Sequence, residues 1–484
     1  MTAISLAPRG SLTGGRRLGW IGLCVALGAI IGVSVAVGQL TLAILIVLAP
    51  VIVATLVRLE WFPVLVLASA FGEALAIGSV SLSRAIGPVA LLAMILGLPG
   101  RRRLRARQFL LPFSIVIYTC WALASVAWTV NPDNGFGMTG TGYAVAQLGL
   151  SIVLTLPLVM FIRTEADLRR VLKTIWVLAV ITGLVSIVQF ATGSARSVGT
   201  TGDANFFAAL QVVVLPLCAL LAIETRSRRN RAIVLLGVGV VVGSVITSLS
   251  RGGILALAAI FLLLGFQPAQ SFFRSRARKR AFLLFVVVGA GVLLAVSFSA
   301  LSARTSGLFS SGDTGSGRTN LWRAALVAWH WHVWIGIGFG AFIGQSNQLL
   351  VQTPGVNFSA YDLRSTGQYV HNSYLESLCE LGVIGLVLFC VILVALLRTL
   401  RRSVREAEAA RLPLSAGFAR ALLLGLFGYA LTSFFLSAET DRTLYTLIGL
   451  ALALPRVIRE EQHHRETPDA RRPPPSLPRI ATDV

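Results

Sequence analysis

Runs of apolar residues about 20 long, separated by short arginine-bearing breaks, recur along most of this chain. Residues 375–397 form one such run, 23 residues with charge only near its start. As a helix it is long enough to cross a bilayer's hydrocarbon core of about 30 Å. Similar runs place spans near 18–37, 39–57, 61–80, 84–98, 109–129, 143–162, 171–190, 205–223, 232–249, 252–266, 281–299, 375–397, 416–436 and 443–458. Two of these, 84–98 and 252–266, are short enough to be re-entrant. The pattern therefore predicts an all-α, polytopic membrane protein with 12–14 transmembrane helices.

Composition agrees: of 484 residues 55% are apolar and 13% charged, against roughly 25% charged in soluble domains. The formal charge of +22 does not point to nucleic acid, because the basic residues form no single patch. They fall in short clusters between spans, such as "RRRLRAR" (101–107), "RSRRNR" (226–231), "RSRARKR" (274–280) and "RTLRRSVR" (398–405). Under the positive-inside rule these are cytoplasmic, with both termini inside and anionic headgroups as their contact. Eight of the 42 basic residues then lie outside, all of them arginine: Arg84, Arg196, Arg251, Arg304, Arg318, Arg323, Arg364 and Arg442. The first apolar run lacks a cleavage site and reads as a retained span. The five cysteines lie within apolar runs and read as small buried hydrophobes.

The resulting organisation is a cytoplasmic tail (1–17), a first set of transmembrane helices (18–299), a large extracytoplasmic loop (300–374), the last helices (375–458) and a disordered cytoplasmic tail (459–484). Within the loop, Trp322, Leu326, Trp329 and Val333 recur at helical spacing, which predicts a short interfacial helix lying on the membrane. "GIGFGAFIG" (336–344) looks like a phosphate-cradling loop, but no strand precedes it, so close backbone packing is expected there. "GDANFF" (202–207) opens a span that either Asp203 or Asn205 could cap.

The loop ends at "HNSYLESLCELGVIGL" (371–386). Ser373 and Glu376 have the spacing of a capping box, which leaves the His371 ring free to face an aqueous cavity above the bilayer. An imidazole there can take a proton at neutral pH, or can simply pin the loop by a hydrogen bond. Glu380 lies one turn beyond Glu376 and must face protein or water. Arg251, in "SLSRGGIL", and Arg318, in "SGRTNLW", fall on the same side of the membrane. Their guanidinium forks suit phosphate oxygens, although headgroup contact is an ordinary alternative. No acidic metal motif is apparent: Asp203, Asp313 and Asp362 are isolated, and Glu439 with Asp441 form a lone E-x-D. Glu73 falls within the third expected span and has no assigned role.

"GDANFFAALQVVVLPL", "SLSRGGILAL", "SGRTNLWRAAL", "HVWIGIGFGAF" and "HNSYLESLCELGVIGL", in this order, resemble the O-antigen ligase and O-antigen polymerase family of integral-membrane glycan transferases. The resemblance covers about residues 196–390. It implies a saccharide donor on undecaprenyl pyrophosphate, a glycan, lipid or protein acceptor, and a site on the outer face of the plasma membrane. No cofactor is implied, and association with other glycan-export proteins is compatible with it. By position His371 would be the general base. Arg251 and Arg318 would hold the pyrophosphate, and Glu376, Glu380, Asn372, Tyr374, Trp322 and Asn205 would support the site. The reaction implied is metal-independent and inverting. Two departures bear on substrate and loop geometry: His332 is followed by Val333 where the family commonly has proline, and the usual Asn-Pro-Asn appears as Asp-Ala-Asn, keeping only Asn205. A transporter or flippase is the alternative, against which stand the lack of a visible internal repeat and the placement of most charges at helix ends.

Overall fold

The structure, a computed structural model, describes residues 58–73, 76–77, 80–97, 110–129, 140–194, 196–266, 275–296, 317–356 and 367–466. The expected spans at 18–37 and 39–57, the tail 1–17 and parts of the 300–374 loop lie outside these residues. Fourteen α-helices are described: α1 (Phe62–Phe71), α2 (Leu82–Gly97), α3 (Leu110–Ser125), α4 (Thr141–Phe161), α5 (Glu165–Ala191), α6 (Ala204–Glu224) and α7 (Arg228–Thr247) come first. They are followed by α8 (Arg251–Phe266), α9 (Arg276–Val296), α10 (Arg318–Trp331), α11 (Ala341–Gln352), α12 (Ser373–Ala409), α13 (Pro413–Thr432) and α14 (Arg442–Glu466). Among the described residues the only strands are a two-residue antiparallel pair, β1 (Ala76–Ile77) with β2 (Val80–Ser81). The all-α polytopic class holds.

Among the described residues seven helices are long and apolar enough to cross a membrane: α3, α4, α5, α6, α7, α12 and α13, with α1, α2 and α8 apolar but shorter. The expected span 61–80 is corrected. Its helix ends at Phe71, and the β-formers Ile77 and Val80 turn the chain back as a hairpin. Glu73 accordingly lies past a helix end, not inside a span. At the other end of the chain, residues 459–466 continue α14 as helix where a disordered tail was expected.

Local chemistry explains where the helices begin. Thr164 and Asp167 form a reciprocal capping box at α5, Asp203 caps α6 through the N–H groups of Asn205 and Phe206, and Ser227 caps α7. Around α6, which is buried along almost its whole length, pack α5, α7, α8 and α13. The buried residues of α6 include no ionisable side chain beyond the thiol of Cys218, so it is held mainly by apolar packing, with Gln211 donating to the Ala179 carbonyl and the Thr182 hydroxyl of α5. α12 packs against α3, α13, α14 and α10.

The loop before α12 carries the two shorter helices α10 and α11. Leu321, Ala324, Ala325 and Ala328 make the buried face of α10, while Leu326 and Trp331 point outward and Trp322 and Trp329 are half-buried. The tryptophan stripe is thus the outer edge of the helix, and the small residues let it approach α12 closely.

Candidate functional site

The site is built on an interruption of α12. Asn372 is the N-cap: its Oδ1 accepts from the backbone N–H groups of Tyr374 (3.0 Å) and Leu375 (3.1 Å). The expected Ser373–Glu376 capping box is not formed. The Ser373 hydroxyl instead donates to the carbonyl of Leu436 (2.7 Å) and accepts from the N–H of Ala438 (2.8 Å), which ties α12 to the α13–α14 connection. Tertiary partners claim the serine, and the asparagine one residue earlier takes over the cap.

Further along, Gly382 breaks the helix with φ 70° and ψ −169°. A break at membrane depth leaves backbone groups that only protein can satisfy. Five of the groups around the break find partners outside the helix. The carbonyls of Cys379 and Glu380 accept from the N–H groups of Ile337 (2.9 Å) and Gly338 (2.8 Å), and that of Leu381 accepts from the Trp121 indole (3.1 Å). Val383 and Ile384 donate to the carbonyls of Val333 and Trp334. "GIGFGAFIG" therefore serves close backbone approach, as expected: Gly336 and Gly338 have positive φ, and a Cβ would collide with Glu380 at the first and Thr129 at the second. The loop also receives a carboxyl group, and that group belongs to the protein. Glu380 accepts from Gly340 N–H (2.7 Å) and Phe342 N–H (3.1 Å) at the N-terminus of α11.

The starts of α4, α6, α11, α12 and α14 converge on a cavity of about 310 Å³. Its charged lining is mostly acidic: Glu376 and Glu380 from α12, Glu439 and Asp441 from the α13–α14 connection, and Glu73. Among the described residues Arg442 is the lysine or arginine in that lining; it pairs with Glu73 at 3.1 Å and donates to Gln147 at 3.2 Å. Burial lifts the Glu73 carboxyl above its ordinary range, opposed by Arg442. The Glu439–Asp441 pair is not the isolated E-x-D it appeared in sequence. Carboxylate oxygens of Glu376, Glu380 and Glu439 lie within 4.8 Å of one another, and all three residues are buried. Burial raises the Glu439 carboxyl to about 7.

His371 also lines the cavity. Its backbone is left-handed (φ 55°), a conformation uncommon outside glycine, and its N–H donates to the Ser437 hydroxyl at 3.0 Å. The ring stands edge-on to Tyr369, and its Nδ1 is buried with no hydrogen-bond partner. Burial, followed by the positive charge of Arg318, lowers its pKa to about 4; Asp203 opposes this and Arg196 adds to it. The imidazole is therefore neutral at physiological pH.

Arg318 thus lies within electrostatic reach of His371, while Arg251 acts on Arg196. Neither Arg251 nor Arg318 lines the cavity itself. Asn205 does not cap α6; its Oδ1 accepts from Arg196 (2.8 Å) and from the Ser250 hydroxyl (3.0 Å), linking two segments. Arg196, whose Nε is buried without a partner, is the arginine that sequence reasoning counted among the eight outer ones but did not single out. Tyr374 is turned away from the cavity: its hydroxyl donates to the Ala430 carbonyl (2.8 Å) and its ring packs on Phe389 and Phe434. Trp322 packs at the α10 cluster that also holds Val370 and Cys379.

Fold and site together define a multi-pass α-helical membrane protein in which α11 and the broken helix α12 help to line a polar, histidine-bearing cavity. Residues 236–390 match the model of the O-antigen ligase family, so the resemblance noted in the sequence holds over the stretch that carries Arg251, Arg318, His371, Glu376 and Glu380. The chain is also similar to the exopolysaccharide production protein ExoQ of Rhizobium meliloti (strain 1021), 28% identical over 149 residues. That alignment covers 31% of this chain, and the chain spans about a third (34%) of the length of that relative.

Proposed function

We propose that this protein is a membrane glycosyltransferase of cell-surface polysaccharide synthesis, moving a saccharide from undecaprenyl pyrophosphate to an acceptor hydroxyl at the outer face of the plasma membrane. The observation that carries the reading is a half-buried, neutral His371 whose Nδ1 is buried without a hydrogen-bond partner, lining a cavity at one end of the bundle and within the field of Arg318 and Arg196. The family match over residues 236–390 and the similarity to ExoQ support it.

In this mechanism the acceptor O–H gives its proton to His371 as its oxygen attacks the anomeric carbon. The bond from that carbon to the pyrophosphate oxygen breaks with inversion, and undecaprenyl pyrophosphate leaves with the bonding pair. Arg318 and Arg251, joined by Arg196, hold the charge that develops on the leaving group, so its departure needs no metal ion. A base of pKa about 4 is weak for a proton transfer near neutrality. Donor binding corrects this: pyrophosphate charge neutralises Arg318, one of the causes of the depression, and raises the basicity of the ring when a substrate is present.

The test is a deletion strain complemented with wild type or His371→Ala at matched membrane levels. Loss of surface glycan with lipid-linked intermediates accumulating in the outer leaflet is the expected result. Intermediates retained in the inner leaflet would make the protein a flippase instead, and normal glycan from the variant would remove His371 from the mechanism.

A further inference from the structure

The carboxylates of the cavity have no part in the transfer just described, yet two of them keep a buried oxygen that the protein leaves without a partner. Glu376, Glu380 and Glu439 are 5%, 3% and 7% exposed, and their oxygens gather within 4.8 Å of one another. Glu380 is fixed by two backbone N–H groups. Glu376 and Glu439, by contrast, each keep one buried oxygen, Oε2, with no hydrogen-bond partner, and both residues face the cavity. An ionised carboxylate removed from water is costly unless its lone pairs are filled. Arg442 does not fill them, since its ion pair is with Glu73. The helix N-termini around the cavity offset part of the negative charge, but they contribute no atom that reaches the two open oxygens.

We infer that Glu376, Glu380 and Glu439 form a binding site for one divalent cation of the calcium or manganese kind. The donor set is all oxygen, which suits hard cations and not zinc or copper. Ligands sharing a calcium ion at about 2.3–2.6 Å lie no more than about 5 Å apart, a limit these three meet. The Gly340 and Phe342 amides orient Glu380 in the way that outer hydrogen bonds fix metal ligands. Three carboxylates leave positions of the ion open toward the cavity. Water fills them at rest, and paired hydroxyls of an acceptor sugar have the chemistry to replace it. The ion is not assigned to the pyrophosphate, whose charge the arginines hold.

Binding can be read with no saccharide present, so the inference stands or falls apart from the glycosyltransferase reading. The full-length protein in lipid nanodiscs would be titrated with Mn²⁺ alone, following free Mn²⁺ by electron paramagnetic resonance. Wild type is expected to show one saturable site that Ca²⁺ displaces. Glu439→Gln and Glu376→Gln should each weaken it at least tenfold, and Glu408→Gln, in the distant half of α12, should leave it unchanged. Thermal melting of each variant distinguishes a lost ligand from a lost fold. No saturable site in wild type would overturn the inference and leave the carboxylates neutralised by protons, as would binding that both Gln variants retain.

Discussion

Two sets of charges meet at His371, and they are built in opposite ways. The arginines Arg196, Arg251 and Arg318 come from loops and helix starts and are only partly buried; Arg318 and Arg196 act on the imidazole through their fields, and Arg251 acts on Arg196. The carboxylates Glu376, Glu380 and Glu439 are almost wholly buried: the first two stand on the broken helix, Glu380 bonded to the glycine loop, and Glu439 on the α13–α14 connection tied to α12 through Ser373. Partly exposed cations on mobile stems can close on a bulky lipid-linked anion and release it. A sealed carboxylate cluster cannot move without unpairing backbone at membrane depth, so it defines a fixed wall. On the proposed mechanism, this makes the arginine side the adaptable donor side and the carboxylate side the rigid acceptor side.

That division can be broken from either side. Removing one charge from the donor side, Arg318→Ala, should cost about 10²–10³ in the rate of undecaprenyl pyrophosphate release, the usual loss for one stabilising donor. Arg318→Lys should recover part of it, since the charge is kept and the fork is lost. On the rigid side, Gly338→Ala should destabilise the fold by about 1–3 kcal/mol from backbone strain alone, more with the collision against Thr129, and is read as a lowered melting temperature.

A subtler effect lies in the pH profile. With His371 as the proposed neutral base, kcat/KM should stay level as pH falls from 8 to about 5 and drop only as the ring protonates near 4. In the residual activity of Arg318→Ala this acid limb should move up toward 6.5, because one cause of the depression is gone; Arg318→Lys should leave it in place. The smallest change expected is Asn372→Ala, which removes the N-cap of α12 for about 1 kcal/mol of stability and leaves the acid limb unmoved.

What could be read in advance follows the same divide. The all-α membrane class, His371 ahead of a span and a protein-facing Glu380 were legible, because each depends on hydropathy or on charge in a local segment. Glu439 was not, since its partners lie on another helix and meet it only when the α13–α14 connection folds onto α12 through Ser373. Gly382 reads as one more small residue in an apolar run. Its left-handed turn is required only once residues 333–338 dock and exchange hydrogen bonds with it. Glu73 was misplaced because the apolar run continues past the helix end into a hairpin of β-forming residues, and hydropathy does not tell one from the other.

The most direct measurement of the central claim is single-turnover transfer from a lipid-linked saccharide in proteoliposomes, comparing wild type with His371→Ala, alongside donor binding and thermal melting. The account predicts a rate lower by about 10²–10⁴, the range for a general base, with binding and melting nearly unchanged. A variant that transfers within a few-fold of the wild-type rate would show that His371 holds the loop and that the proton goes elsewhere.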